Sequence, residues 1–200
     1  FFDVGANVGM YSWEVREVCP LRKILAFEPD PENIKLLEKT LNEANLKHLA
    51  ISKCALSKRV GEVTFFQDNL TSATGCVAGM DKPWIEQYLK GSVNEIRVKT
   101  ATLDSVSLGE KTPSLIKIDV EGHEIEVLEG SSNTLTKARP LLIIESFPPK
   151  QSTVLSMLHE FGYRSIDADR HVSINPKTTN LFAWHPEGPL DEATIQKLIN

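Results

Sequence analysis

Four places in this sequence, each just past an apolar run, carry residues whose types and spacing can do chemistry. The first is the turn Asp3-Val4-Gly5-Ala6-Asn7-Val8-Gly9. Gly5 and Gly9 let the backbone approach a ligand closely, and the helix expected after them presents unpaired N–H groups at its start. The second is Glu28, which ends Ile24-Leu25-Ala26-Phe27. It stands at the spacing from which a carboxylate accepts both hydroxyls of a ribose. Asp119, Glu121 and His123 leave Leu115-Ile116-Lys117-Ile118 at alternating positions, and Glu145 ends Leu141-Leu142-Ile143-Ile144. The first two places read as a nucleoside pocket and the last two as a reacting end. A dinucleotide fold prefers Gly-x-Gly-x-x-Gly, whereas Asn7 stands where the second glycine would make room for a pyrophosphate. A ligand without a diphosphate is therefore expected. A glycine turn by itself can be a tight connection and nothing more; its spacing to Glu28 is what argues for a site.

The elements that must position these residues alternate in kind. Short apolar, β-branched runs are separated by stretches of helical period, the signature of βαβ units around a parallel sheet. Val8, Tyr11, Val15 and Val18 suggest one face of a first helix. Asp30 and Pro31 form a strong helix start, followed by the stripe Ile34, Leu37, Leu41 and Ala44. A third strand is expected from Leu49 to Ala55. Between residues 57 and 112 the pattern changes: Val63–Phe66 and Ile96–Thr100 alternate like strands, which suggests an inserted hairpin with a loop over the site. A helix from about His123 to Leu135, the buried strand at Leu141–Ile144, a helix from Thr153 to Phe161 and a closing pair at Tyr163–Ile166 and Leu181–Trp184 complete the pattern. Asp191 caps a final helix holding Ile195, Leu198 and Ile199. The expectation is a single α/β domain over residues 1–200, with a doubly wound, seven-stranded, mostly parallel sheet, helices on both faces and a terminal antiparallel hairpin strand.

Composition fits that picture. The chain has 200 residues, 41% hydrophobic and 24% charged, with a formal charge of −5 and no run of Lys or Arg. Nucleic-acid backbones are gripped by clustered cations, so a nucleic-acid partner is not expected. Cys19, Cys54 and Cys76 show no CxxC spacing and read as reduced thiols in a cytoplasmic setting. No apolar stretch is long enough to span a membrane. Phe1-Phe2 already looks like the middle of a strand, so residues upstream of it are expected. Oligomeric state has no signature here.

Three motifs together carry a resemblance. Phe2-Asp3-Val4-Gly5-Ala6-Asn7-Val8-Gly9, then Phe27-Glu28-Pro29-Asp30-Pro31, then Ile116-Lys117-Ile118-Asp119-Val120-Glu121-Gly122-His123-Glu124 with Val127-Leu128-Glu129-Gly130 resemble the FkbM family of S-adenosylmethionine-dependent methyltransferases. The likeness runs from Phe1 to about Glu145. It implies a Rossmann-like class I methyltransferase fold with S-adenosyl-L-methionine as cofactor and a hydroxyl of a small molecule, sugar or glycan as methyl acceptor. By position, Asp3 would hold the amino end of the methionine, directly or through water. Gly5, Ala6, Asn7 and Gly9, with Tyr11, would line the methionine part and the ribose, and Glu28 beside Pro29 would bind the ribose hydroxyls. Many methyltransferases place an acidic residue after the third strand to read the adenine amine, but Cys54-Ala55-Leu56-Ser57 offers none. Backbone there, or Asp68 or Asn69, would take that contact.

Methyl transfer is an in-line attack, so positioning supplies much of the rate and a base helps when the nucleophile is a hydroxyl. Asp119 and Glu121 are expected to shape the reacting end, with His123 or Glu145 as base; His123 as a helix-start residue with a satisfied hydrogen bond is the alternative. Carboxylates and an imidazole could also hold a hard cation. The Asp-Asn pair that metal-assisted oxygen methyltransferases carry downstream is absent at Glu145-Ser146, so no metal is expected. Two other classes share parts of the pattern: a Rossmann-type NAD(P)-dependent oxidoreductase, which lacks its full glycine set here, and a non-catalytic nucleoside-binding domain.

Overall fold

The computed structural model describes residues 1–68, 75–77, 93–107 and 112–199. Its main sheet is built from β1 (Phe2–Val4), β2 (Ile24–Phe27), β3 (Leu49–Ser52), β8 (Leu115–Ile118), β9 (Leu141–Glu145), β10 (Arg164–Asp167) and β11 (Asn180–Trp184). The seven strands lie in the order β10-β11-β9-β8-β1-β2-β3. β11 runs antiparallel to both its neighbours, and the pairs among β9, β8, β1, β2 and β3 are parallel. Strand order reverses between β1 and β8, so their carboxyl ends part and leave a crevice, the place where open α/β sheets bind ligands.

The apolar character of the central strands explains their position. Ile116, Ile118, Leu142 and Ile144 are fully buried in the main core, each contributing roughly 1.5–3 kcal/mol. Side chains alternate across a strand. Phe2, Val4, Ile116 and Ile118 face that core, which leaves Asp3, Lys117 and, one step beyond β8, Asp119 to the other side.

Helix α1 (Met10–Val18) departs from the expected apolar face. Ser12 and Arg16 are its buried residues, whereas Val8, Tyr11 and Val18 are exposed. Polar partners decide this: Ser12 Oγ donates to Asp3 Oδ2 at 2.6 Å, and Arg16 donates to the carbonyls of Pro20 and Arg22. In α2 (Pro31–Glu43), Asp30 caps by accepting from the Glu32 N–H, and Ile34 and Leu37 are buried, while Ala44 is exposed.

The third strand ends at Ser52 rather than Ala55. Ala55–Leu56 is a separate strand, β4, in a second sheet with β5 (Gly61–Asp68), β6 (Cys76–Val77) and β7 (Val93–Ala101), in the order β4-β7-β5-β6. β5 and β7 pair antiparallel over their length. Gln67 ties this sheet to the start of α2 by donating to Asp30 Oδ1 at 2.9 Å.

The capping box at Thr102 starts the short α3 (Leu103–Val106). The helix expected from His123 to Leu135 is only α4 (Glu124–Glu129), followed by a π-helical turn over Thr134–Ala138. It stops at Gly130, where a Cβ would lie 2.2 Å from the Ser57 carbonyl oxygen. Helix α5 (Lys150–Glu160) precedes the closing strands, and α6 (Glu192–Ile199) is capped by Asp191 as expected, with Ile195 buried and Leu198 exposed. Among the described residues no helix is long and apolar enough to cross a membrane.

Candidate active site

The crevice between β1 and β8 opens into a cavity of about 340 Å³. Its floor is possible only because residue 5 is glycine. Gly5 has φ +75°, and a Cβ there would lie 1.8 Å from the Asp119 carbonyl oxygen. The loop beyond it is drawn toward β2, with the Gly5 and Ala6 N–H groups both donating to the Phe27 carbonyl at 3.1 and 3.0 Å.

One end of the cavity is organised around Glu28, which is 4% exposed. Its Oε2 accepts from the Asn7 N–H at 2.7 Å and its Oε1 from the Asp30 N–H at 2.8 Å; the Asn33 side chain bonds it as well. Burial nevertheless pushes its pKa up to about 7 against those hydrogen bonds. A carboxylate has about four acceptor sites, so these three donors leave capacity for a further hydroxyl. Pro29 and Asn33 flank it on the cavity wall, and Cys54, Ala55, Leu56 and Phe65 face it from the second sheet and the chain leading into that sheet.

The other end is acidic. Asp119 and Glu121 line the cavity. Glu145 hydrogen-bonds the Asp119 side chain, and its pKa is raised by burial, by that bond and by the Asp119 and Glu121 charges. Glu121 is pushed up to about 7, first by burial and then by Asp119 and Glu124. Its backbone is left-handed, φ +50°, a conformation that turns the chain from β8 toward α4 and is uncommon for a residue with a side chain. Lys117, nearly buried on β8, stands 3.1 Å from Asp119 Oδ2 and 3.8 Å from Asp3 Oδ1, and donates to the Gly5 carbonyl at 3.1 Å.

This cavity sits on a chain whose sequence matches the Methyltransferase FkbM domain over residues 3–165. The chain belongs to the FkbM methyltransferase family. It is 27% identical over 145 residues to the hexuronic acid methyltransferase AglP of Haloferax volcanii, covering 71% of this chain and 54% of that protein. It is 28% identical over 148 residues to the 2-O-methyltransferase NoeI of Sinorhizobium fredii, covering 68% and 59%. The crystal structure of methyltransferase FkbM from Methylobacillus flagellatus KT superposes with a TM-score of 0.62 at 17% identity, covering 91% of this chain and 42% of that one. The chain thus spans little more than half the length of these two relatives. The class I methyltransferase fold, with its antiparallel terminal strand, is the one the sequence suggested.

Within the FkbM domain the sequence-expected residues fall into three groups. Gly5, Ala6, Asn7, Tyr11, Glu28, Pro29, Asp119, Glu121 and His123 border one cavity. Asp3, Gly9 and Glu145 do not. Asp3 lies beneath the floor, fully buried, bonded to Ser12. Gly9 serves the turn: its φ is +89°, and a Cβ would strike the Trp13 ring and Leu37 at 2.6–2.7 Å. Glu145 meets the cavity wall through its hydrogen bond to Asp119. Asp68 ends β5, and Asn69 falls outside the described residues. His123 Nε2 is hydrogen-bonded with Ser57 Oγ at 3.0 Å, and Nδ1 lies 3.4 Å from Glu126; burial lowers its pKa, which favours the neutral ring at pH 7. Sequence reasoning missed Lys117, Asn33 and Ser57. For Lys117 there was a signal, a lone charge inside the apolar run Leu115–Ile118.

Proposed function

We propose that this FkbM domain catalyses S-adenosylmethionine-dependent O-methylation of a hydroxyl on a sugar or other small molecule. The observation that carries the reading is one cavity at the strand-order switch with a buried ribose-type carboxylate, Glu28, at one end and a proton-accepting carboxyl group, Glu121, at the other. The residues fit the cofactor: Gly5 leaves the backbone bare where a ligand must approach, Glu28 has acceptor capacity left, and the volume lies within the range of small-molecule sites.

S-Adenosylmethionine would supply an electrophilic methyl group on sulfur. Glu28 holds the nucleoside end and so fixes which direction the methyl faces. Glu121, poised near neutrality, would accept the proton that the acceptor hydroxyl loses on taking the methyl group. Glu145, its pKa raised and its side chain hydrogen-bonded to Asp119, keeps a second proton close to the same place. His123, bonded through Nε2 to Ser57, ties the chain beside the second sheet to α4 and leaves the proton to Glu121. A hydroxyl acceptor is favoured because the named relatives include a hexuronic acid methyltransferase and a 2-O-methyltransferase. A cytoplasmic setting suits its three free thiols.

Calorimetry with S-adenosylhomocysteine and with NAD tests the donor: binding of the first and not the second is expected, and the reverse refutes the reading. Mass spectrometry of sugar and cell-extract acceptors incubated with labelled cofactor tests the transfer. The expected product carries the label on oxygen, and label on nitrogen or carbon alone would reject O-methylation.

A further inference from the structure

Lys117 has a place in the cavity but none in the chemistry above. It is 5% exposed, at the carboxyl end of β8, and among the described residues on the cavity wall it is the one fixed cation, His123 being neutral. Asp3, directly opposite it in the β1–β8 register and fully buried, supplies a countercharge from below the floor. Balancing Asp3 does not require an ammonium that reaches the cavity, yet this one does.

Its surroundings are specific. Nζ donates to the Gly5 carbonyl at 3.1 Å and stands 3.1 Å from Asp119 Oδ2. Asp3 Oδ1 is 3.8 Å away, beyond hydrogen-bond reach, and the Tyr11 ring centroid lies 4.8 Å from Nζ as an outer wall. Of the three ammonium N–H donors, two have acceptors at hydrogen-bonding distance. The wall therefore presents a positive and a negative group side by side, with one donor of the positive group to spare. Glu28, at the other end, is held by N–H groups and among the described residues has no such cationic neighbour.

We propose that Lys117 and Asp119 form a charge couple that reads the amino-acid zwitterion of the cofactor's methionine half, Lys117 taking the α-carboxylate and Asp119 the α-ammonium. The inference rests on the donor reading above and adds direction to it. The nucleoside lies at Glu28, the amino-acid end at Lys117, and the methyl between them beside Glu121. The paired opposite charges suit a zwitterion better than either a lone anion or a lone cation, because each ligand charge meets its opposite and no net charge is added to the crevice.

Calorimetry with three ligands tests it: S-adenosylhomocysteine, its decarboxylated analogue, and 5′-methylthioadenosine, which lacks the amino-acid part. In the wild type, loss of the carboxylate should weaken binding by at least about tenfold. In Lys117→Met that preference should collapse to within about twofold, while 5′-methylthioadenosine binds as it does to the wild type. If Lys117→Met does not fold, because Asp3 and Asp119 lose their cation, the double variant Asp3→Asn with Lys117→Met restores the charge balance and carries the same expectation. Equal binding of the acid and its decarboxylated form by the wild type overturns the proposal, as does a folded Lys117 variant that keeps the full preference. Binding of 5′-methylthioadenosine with no carboxylate preference would leave the nucleoside end of the donor reading standing while removing Lys117 from it; no binding of any of the three would overturn both.

Discussion

Replacing Glu28 by Gln probes the cavity where its electrostatics are most defined. Glu28 is nearly buried, accepts two backbone N–H bonds, and has its pKa pushed up to about 7 by burial. A ribose hydroxyl that donates to Glu28 needs the ionised form, since protonation turns an acceptor site into a donor. With a pKa near 7, the ionised fraction rises from about a tenth at pH 6 to about nine-tenths at pH 8, so wild-type affinity for S-adenosylhomocysteine should climb by up to about tenfold over that range. Glu28→Gln removes a charge-assisted interaction of roughly 1.5–3 kcal/mol, or about 10- to 150-fold in Kd at pH 8, and the variant's Kd should not change with pH. S-Adenosylhomocysteine is the right probe because its thioether is neutral and adds no charge at sulfur. Stability of the unliganded protein gives an independent sign check. A carboxyl whose folded pKa is raised binds its proton more tightly folded than unfolded. Its contribution is therefore present below about pH 4.5 and lost as pH rises through about 7, a change of about 3 kcal/mol. Glu28→Gln leaves one of the two N–H donors without an acceptor, which costs stability at every pH, so the readout is slope: urea denaturation at pH 5 and pH 8 should show a smaller difference than in the wild type. Wild-type affinity flat from pH 6 to 8, or a variant within twofold of wild type at pH 8, would refute the reasoning.

Gly5→Ala should abolish folding or lower stability by more than the roughly 1–2 kcal/mol of a left-handed alanine, because its Cβ would meet the Asp119 carbonyl oxygen at 1.8 Å; a thermal melt matching wild type would show that the loop can move away. Glu121→Gln should slow turnover by about 100-fold or more and remove the rise in rate through pH 7 that its pKa sets, with S-adenosylhomocysteine affinity held; an unchanged pH profile would take Glu121 out of proton transfer. His123→Gln loses the bond to Ser57 and should cost about 1 kcal/mol in urea denaturation while keeping the same pH–rate limb. Disappearance of that limb would instead make His123 the base.

How far the sequence discloses this fold depends on where each element's partners lie. Leu141–Ile144 declares itself as a central strand because both faces are buried and every residue is apolar. Asp30-Pro31 declares the start of α2 because cap and first turn are adjacent in the chain. Helix α1 misleads because the buried face is polar: Ser12 and Arg16 find partners at Asp3, Pro20 and Arg22, and no helical period records them. β4 is hidden because Ala55–Leu56 continues the apolar run of β3, and only its pairing with β7 places it in another sheet. At the site, Glu28 is legible from its spacing to the glycine turn. The Asp119–Glu145 hydrogen bond joins residues on adjacent strands that are far apart in sequence, so it requires the register of β8 against β9. Lys117 is legible only as a question, since a charge within a buried strand must have a countercharge and the sequence does not say which.

The turn that opened the reading distinguishes its rivals by what its N–H groups do. A loop that cradles a diphosphate points successive backbone N–H groups at the ligand. Here the Gly5 and Ala6 N–H groups donate to the Phe27 carbonyl, Asn7 to Glu28 Oε2, and Gly9 to the Ala6 carbonyl. Each of these four is already satisfied within the protein and so is not offered to a pyrophosphate, even though Gly5 and Gly9 are present. Asn7 is left-handed, with φ 52°, and that conformation aims its N–H at Glu28. The same bond that fixes the Glu28 carboxylate thus removes a donor from any phosphate. A dinucleotide would have to break it, giving up a charge-assisted bond of roughly 1.5–3 kcal/mol and loosening the carboxylate that must hold its own ribose. A ligand with a ribose and no phosphate meets no such conflict, and the turn, the carboxylate and the bare backbone at Gly5 then favour the same kind of donor.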